Sequence, residues 1–171
     1  KNRRIQKAAS CSSTKGVILL TYEEMQINHN NLNIVEMDLS EVSGLKGLYI
    51  NGHIAINTKM SDTEKACVLA EELGHHYTSY GNILDQTDIS NRKQELRARA
   101  WAYDEQIGLI GLISAYEHGC RNRYEIAKYL EVTEEVLEEC LTYYRSKYGL
   151  CKTVDNYAVY FIPNLIIFKK M

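Results

Sequence analysis

The stretch Cys67-Val-Leu-Ala-Glu-Glu-Leu-Gly-His-His-Tyr-Thr78 decides how this chain is read. Two adjacent acids and two adjacent histidines fall within one short helical segment. Glu71 and His75 share one helix face, and Glu72 and His76 share a strip about 100° away. Just upstream, Ser61-Asp-Thr-Glu64 fits a capping box that starts the helix. Ala66, Leu69, Ala70, Leu73 and Tyr77 recur at helical spacing and predict a buried stripe beside Glu71 and His75. Two readings are open for the acids and histidines. They are the wet face of an amphipathic helix, or they are ligands for a metal ion, which removes the cost of partly burying ionised carboxylates.

Working back toward the N-terminus, Gly47-Leu-Tyr-Ile50 and His53-Ile-Ala-Ile-Asn57 flank Asn51-Gly52, the dipeptide suited to a type I′ turn. This is the clearest hairpin signal in the chain, and one of its faces is expected to meet the core. His53 sits beside the turn, where a surface role is the default. Asn33 to Met37 reads as a further strand, with Gly44 as a break. Thr21-Tyr-Glu-Glu24 fits another capping box, with a short helix running to about Asn28. His29 follows in a polar cluster and reads as a solvated loop residue. Residues 1–15 hold Lys1, Arg3, Arg4 and Lys7 and then a Ser/Thr-rich run. They read as a disordered arm or frayed terminus rather than a basic contact surface.

Downstream, Asn91-Arg-Lys-Gln94 offers an N-cap for a helix to Tyr103. Glu95, Ala98 and Ala102 lie on one face of it, so a single acid heads a stripe of small residues that lets another helix approach closely. Glu95 is either a helix-dipole partner or a third metal ligand offered to that neighbour. Gly108 to Ala115 is apolar and ends at His118-Gly119, where His118 reads as a C-terminal cation or cap. Asn122 caps a short helix to Leu130, and Thr133 caps a longer one closed by Gly149. Helix, short turn, helix resembles a helix-turn-helix. The first turns of its second helix carry Glu134, Glu135, Glu138 and Glu139, which would repel phosphates, so no nucleic-acid partner is expected. A terminal hairpin is expected with its turn at Pro163-Asn164.

Composition narrows the classes. The chain has 171 residues, 45% hydrophobic and 25% charged, with a net charge of -2. That is an ordinary globular balance, and it argues against a protein built to coat nucleic acid. No apolar run approaches the roughly 20 residues of a membrane span, and no signal peptide is visible, although the chain opens on Lys1. Five cysteines, none in a Cys-x-x-Cys pair, argue against a zinc ribbon or a disulfide framework and for reduced thiols in a cytoplasmic protein.

An i, i+4 ligand pair with an acid beside the first ligand is the geometry of His-Glu-x-x-His metallopeptidases. More specifically, Ala70-Glu-Glu-Leu-Gly-His-His-Tyr77 followed by Glu95-Leu-Arg-Ala-Arg-Ala-Trp-Ala102 resembles the ImmA/IrrE family of metallo-endopeptidases, zincin-like proteins of bacterial phages and integrative elements. His75 matches the family's second histidine, Glu72 its catalytic glutamate and Glu95 its later glutamate. Glu71 stands where the family has its first histidine. Zinc accepts carboxylate oxygen, but a set of two carboxylates and one imidazole also suits Mn2+ or Fe2+.

The resemblance implies an α+β, zincin-like metallopeptidase core with a small antiparallel sheet over residues 16–112. A helical, helix-turn-helix-like extension with a terminal hairpin follows over 113–171. It implies a zinc-dependent endopeptidase of the bacterial cytoplasm, with Glu71, His75 and Glu95 as metal ligands and Glu72 as the acid–base residue. The implied substrate is a helix-turn-helix repressor of the same mobile element. Two non-enzymatic readings stand beside it: a catalytically weak protein that sequesters a repressor or acts in a toxin–antitoxin pair, and a helical adaptor.

Overall fold

Two capping boxes fix the helix starts of the N-terminal half. In the computed structural model, which describes residues 20–40, 44–79 and 89–170, the Thr21 side chain accepts from the Glu24 backbone N–H while Glu24 accepts from the Thr21 N–H. Ser61 and Glu64 exchange the same pair of bonds. These caps open α1 (Tyr22–Asn28) and α2 (Asp62–Thr78), which carry two of the orphan N–H groups at each helix start. Between them lie β1 (Asn33–Met37), β2 (Gly47–Ile50) and β3 (His53–Asn57). There follow α3 (Ile89–Gln106), α4 (Gly108–Glu117), α5 (Arg123–Tyr129), α6 (Glu134–Tyr148), β4 (Cys151–Val154), β5 (Tyr157–Tyr160) and β6 (Ile166–Lys169). The architecture is α+β. Among the described residues, no helix is long and apolar enough to cross a membrane.

The Asn51-Gly52 turn forms as its dipeptide requires, with φ of 49° and 86° at the two positions. It sets β2 antiparallel to β3, with Tyr49 opposite Ile54 and Gly47 opposite Ile56. The core face carries Tyr49, Ile54 and Ile56, against Ala66, Leu69, Ala70 and Leu73 of α2. Ile50 falls on the other face and is exposed. The sheet is mixed rather than antiparallel as expected. Its order is β1-β3-β2, and β1 runs parallel to β3. The Asn-Gly hairpin fills one edge of β3 and leaves the other for β1. No local pattern encodes which way that distant strand enters.

The stripe of small residues on α3 faces α2. Ala98 and Ala102 are buried, and a Cβ added at Gly74 would lie 2.3 Å from the Ala98 carbonyl oxygen. Backbone therefore meets backbone at the point where the two site helices cross. The helix starts at Ile89 rather than after an Asn91 cap, so Asn91 lies inside it, and it runs past Tyr103 to Gln106.

Tyr77 departs from the expected buried stripe. It is 46% exposed. Its ring packs on Trp101 at 5.2 Å between centroids, and its hydroxyl sits 2.9 Å from His29 Nδ1. His29 is correspondingly no free loop residue; it caps α1, and burial pulls its pKa down. His53 is exposed, with Nδ1 2.9 Å from Asn33 Nδ2. The expected arm over residues 1–15, most of the apolar run after it, and the connection after Ser79 lie outside the described residues.

A second core gathers Leu112, Leu137, Cys140, Tyr144, Val159 and Phe161. Asn122 and Thr133 cap α5 and α6 as read, and Gly149 closes α6 with φ of 70°. The expected terminal hairpin is the β5–β6 half of a three-stranded antiparallel sheet, β4-β5-β6. Strand β4 was not legible, because Cys-Lys-Thr-Val has no apolar alternation and is made a strand by its pairing with β5. The acids of α6 are also less outward than expected. Glu138 pairs with Arg123 of α5 at 2.6 Å, and Glu139 accepts from the Tyr103 hydroxyl at 2.8 Å. Cys67 of α2 and Tyr103 of α3 belong to this second core, while Ala70 and Ala102 belong to the first, so the two site helices stand on both cores.

Candidate metal centre

The α2–α3 crossing brings three side chains from distant sequence positions together. Glu71 and His75, one turn apart on α2, and Glu95 on α3 each offer a ligand atom, all within 4.8 Å of one another. His75 is buried, with Nε2 3.3 Å from Glu95 Oε2 and Nδ1 3.3 Å from Ser79 Oγ. A proton on Nδ1 donating to Ser79 leaves the Nε2 lone pair facing the two carboxylates. That is the tautomer a metal ligand needs.

The Glu72 side chain leaves α2 in a different direction, toward β2. The Tyr49 backbone N–H donates to it. A Cβ at Gly47 would lie 2.8 Å from Glu72 Oε1 and 2.5 Å from Val68 Cγ1, so only glycine allows the strand this close. The hairpin thus lies on the Glu72 side of α2, and β2 is an edge strand of its sheet among the described residues. His76 is not part of the acid cluster; Nδ1 lies 3.1 Å from the Tyr49 hydroxyl, and its ring packs between Tyr49 and Tyr77.

Three carboxylates in one half-buried place disturb one another's ionisation. Burial, reinforced by the charges of Glu71 and Glu95, pushes the Glu72 carboxyl up to about 8, against the opposing Tyr49 N–H. Burial also raises the Glu71 carboxyl; Arg99 opposes that rise and Glu95 adds to it. Burial lowers His75, although Glu95 pulls the other way. The site is short of positive charge, as expected of residues arranged for a cation.

Arg99 is the member that sequence reasoning missed. Its Nε–H donates to Glu71 Oε1 at 3.1 Å and to Glu95 Oε1 at 3.0 Å. The signal for it was present: Glu95 and Arg99 are an i, i+4 pair on one helix.

Glu72 makes its own contribution to the pH dependence of stability. Its folded value of about 8 lies above the ordinary 4.5, so the folded protein keeps a proton that the unfolded chain releases across that window. The contribution of Glu72 to the stability of the metal-free protein is therefore fullest below about pH 4.5 and is lost as pH rises toward 8. Thermal melts in chelator between those limits should show this fall, and Glu72→Gln should flatten it. Parallel curves for the two proteins would remove Glu72 as its source.

Comparison with known proteins places the chain in a family. The model of the peptidase M78 family, described as the IrrE N-terminal-like domain, matches residues 23–142. That span covers α2, α3 and all four clustered residues, and the chain belongs to this family of metallopeptidases. No curated protein and no solved structure matches the chain.

Proposed function

We propose that the protein is a zincin-like, metal-dependent endopeptidase of the bacterial cytoplasm. The observation that carries this reading is the convergence of Glu71, His75 and Glu95 beside a third acid, Glu72, that points elsewhere. The donor set fits a divalent cation. Two carboxylates and an imidazole lie within one coordination sphere's reach, with a single guanidinium to offset them. Glu71, His75 and Glu95 would hold zinc, or Mn2+ or Fe2+ given the carboxylate-rich set. The bound ion supplies Lewis-acid chemistry for amide hydrolysis.

The protein's own residues do the rest. Glu72 holds the transferable proton: it accepts one from the attacking water and delivers it to the leaving amine. With a dication held beside it, the Glu72 carboxyl would ionise more readily than in the metal-free protein. The Tyr49 N–H fixes the carboxylate's orientation. The exposed edge of β2 offers main-chain groups to an extended peptide, which would lie across Glu72 as an added strand. The substrate we propose is a helix-turn-helix repressor of the same mobile element.

A second reading, a catalytically weak protein that sequesters such a repressor, is favoured by one observation: Arg99 already bridges Glu71 and Glu95. Metal analysis separates the two. Protein purified without a nickel column should carry about one transition metal per chain. Glu71→Ala should lose that metal and repressor cleavage together. Metal-free wild-type protein that binds a repressor without cutting it, even after metal is added, supports the second reading instead.

A further inference from the structure

We propose that Arg99 is the resident counter-ion of the metal centre and gives way when a divalent cation binds, so that the protein holds its metal more weakly than its donors alone would. This rests on the metallopeptidase reading above. The Arg99 Nε–H occupies one oxygen of Glu71 and one of Glu95, at 3.1 and 3.0 Å. These are charge-assisted bonds to the same two carboxylates that a cation would need. A guanidinium at this distance also repels a dication directly. The bridge and the metal are therefore antagonists.

The bridge has a structural purpose in the metal-free protein. Glu71 and Glu95 face each other across the α2–α3 crossing, where Gly74 meets the Ala98 backbone. Two carboxylates there push α2 and α3 apart unless a positive group lies between them. Arg99 provides that group before metal arrives. On displacement it has a second acceptor within its own surroundings. A cleft between α2, α3 and α6 is lined by Glu71, Arg99, Tyr103, Gln106 and Glu139. The Glu139 carboxylate there is exposed and engaged with only the Tyr103 hydroxyl among the bonds described.

Zinc affinity at pH 7, measured by competition with a chromophoric chelator, tests this on the wild type, Arg99→Gln and Arg99→Lys. Arg99→Gln should bind zinc at least about tenfold more tightly than wild type. Arg99→Lys, which keeps the charge, should stay within about threefold of wild type. Wild-type uptake with equal or weaker affinity in Arg99→Gln overturns this inference alone. Failure of every protein to take up zinc overturns the metallopeptidase reading and this inference with it. A readout on the unaltered protein guards against a misfolded variant. The Arg99 Nε–H resonance should shift during zinc titration, in step with one bound ion. A resonance that stays unmoved while zinc binds also overturns the proposal.

Discussion

Glu72→Gln should retain the metal and lose turnover by about 10²- to 10⁴-fold, the range that a general acid–base residue contributes. The amide keeps the size and hydrogen-bonding reach of the carboxylate but cannot accept a proton. Glu71 and Glu72 are chemically identical neighbours, so the contrast between them is the sharpest test of the site. Glu71 faces His75 and Glu95, whereas Glu72 turns to the Tyr49 N–H of the edge strand. Glu71→His should restore the family's histidine and tighten zinc. The check is zinc content and affinity beside cleavage of a repressor substrate. If Glu72→Gln sheds the metal while Glu71→Ala keeps it, the two roles are reversed. If both variants behave as wild type, this helix face is ordinary surface.

Gly74→Ala should destabilise the fold by about 1–3 kcal/mol or more and weaken metal binding with it. The added Cβ would lie 2.3 Å from the Ala98 carbonyl oxygen and 3.1 Å from its Cα. Both are helix backbone, which yields only if α3 moves as a unit. Any such movement carries Glu95 away from Glu71 and His75, because Glu95 is on that helix and the other two are on α2. Stability and zinc affinity should therefore fall together. Urea denaturation in chelator and zinc titration of the folded variant measure them separately. Normal stability with full affinity would mean that the helices do not cross at this distance.

Much of the candidate site was legible in the sequence because helical spacing is local information. Glu71 and His75 sit at i, i+4, and that alone puts them on one face of α2. The two capping boxes and the Asn51-Gly52 turn were equally legible, since each depends on the hydrogen bonding or φ of a few adjacent residues. The small face of α3, headed by Glu95, announced a close helix contact. It did not say with which helix, and only the resemblance to a known family paired it with α2.

Tertiary structure decided the rest. Strand β1 joins β3 in parallel and β4 pairs with β5, choices fixed by which edges were free rather than by their own residues. Tyr77 follows the helical period, yet its ring meets Trp101 and His29 and stays half exposed instead of entering the core. Arg99 reads on α3 as one more charge on a polar face. Only the crossing of α2 places the Glu71 carboxylate where the same Nε–H can bridge it to Glu95. The sequence determined which groups each helix presents. The helix crossing determined which charges must share one small, poorly solvated space, and that sharing gives the site its chemistry.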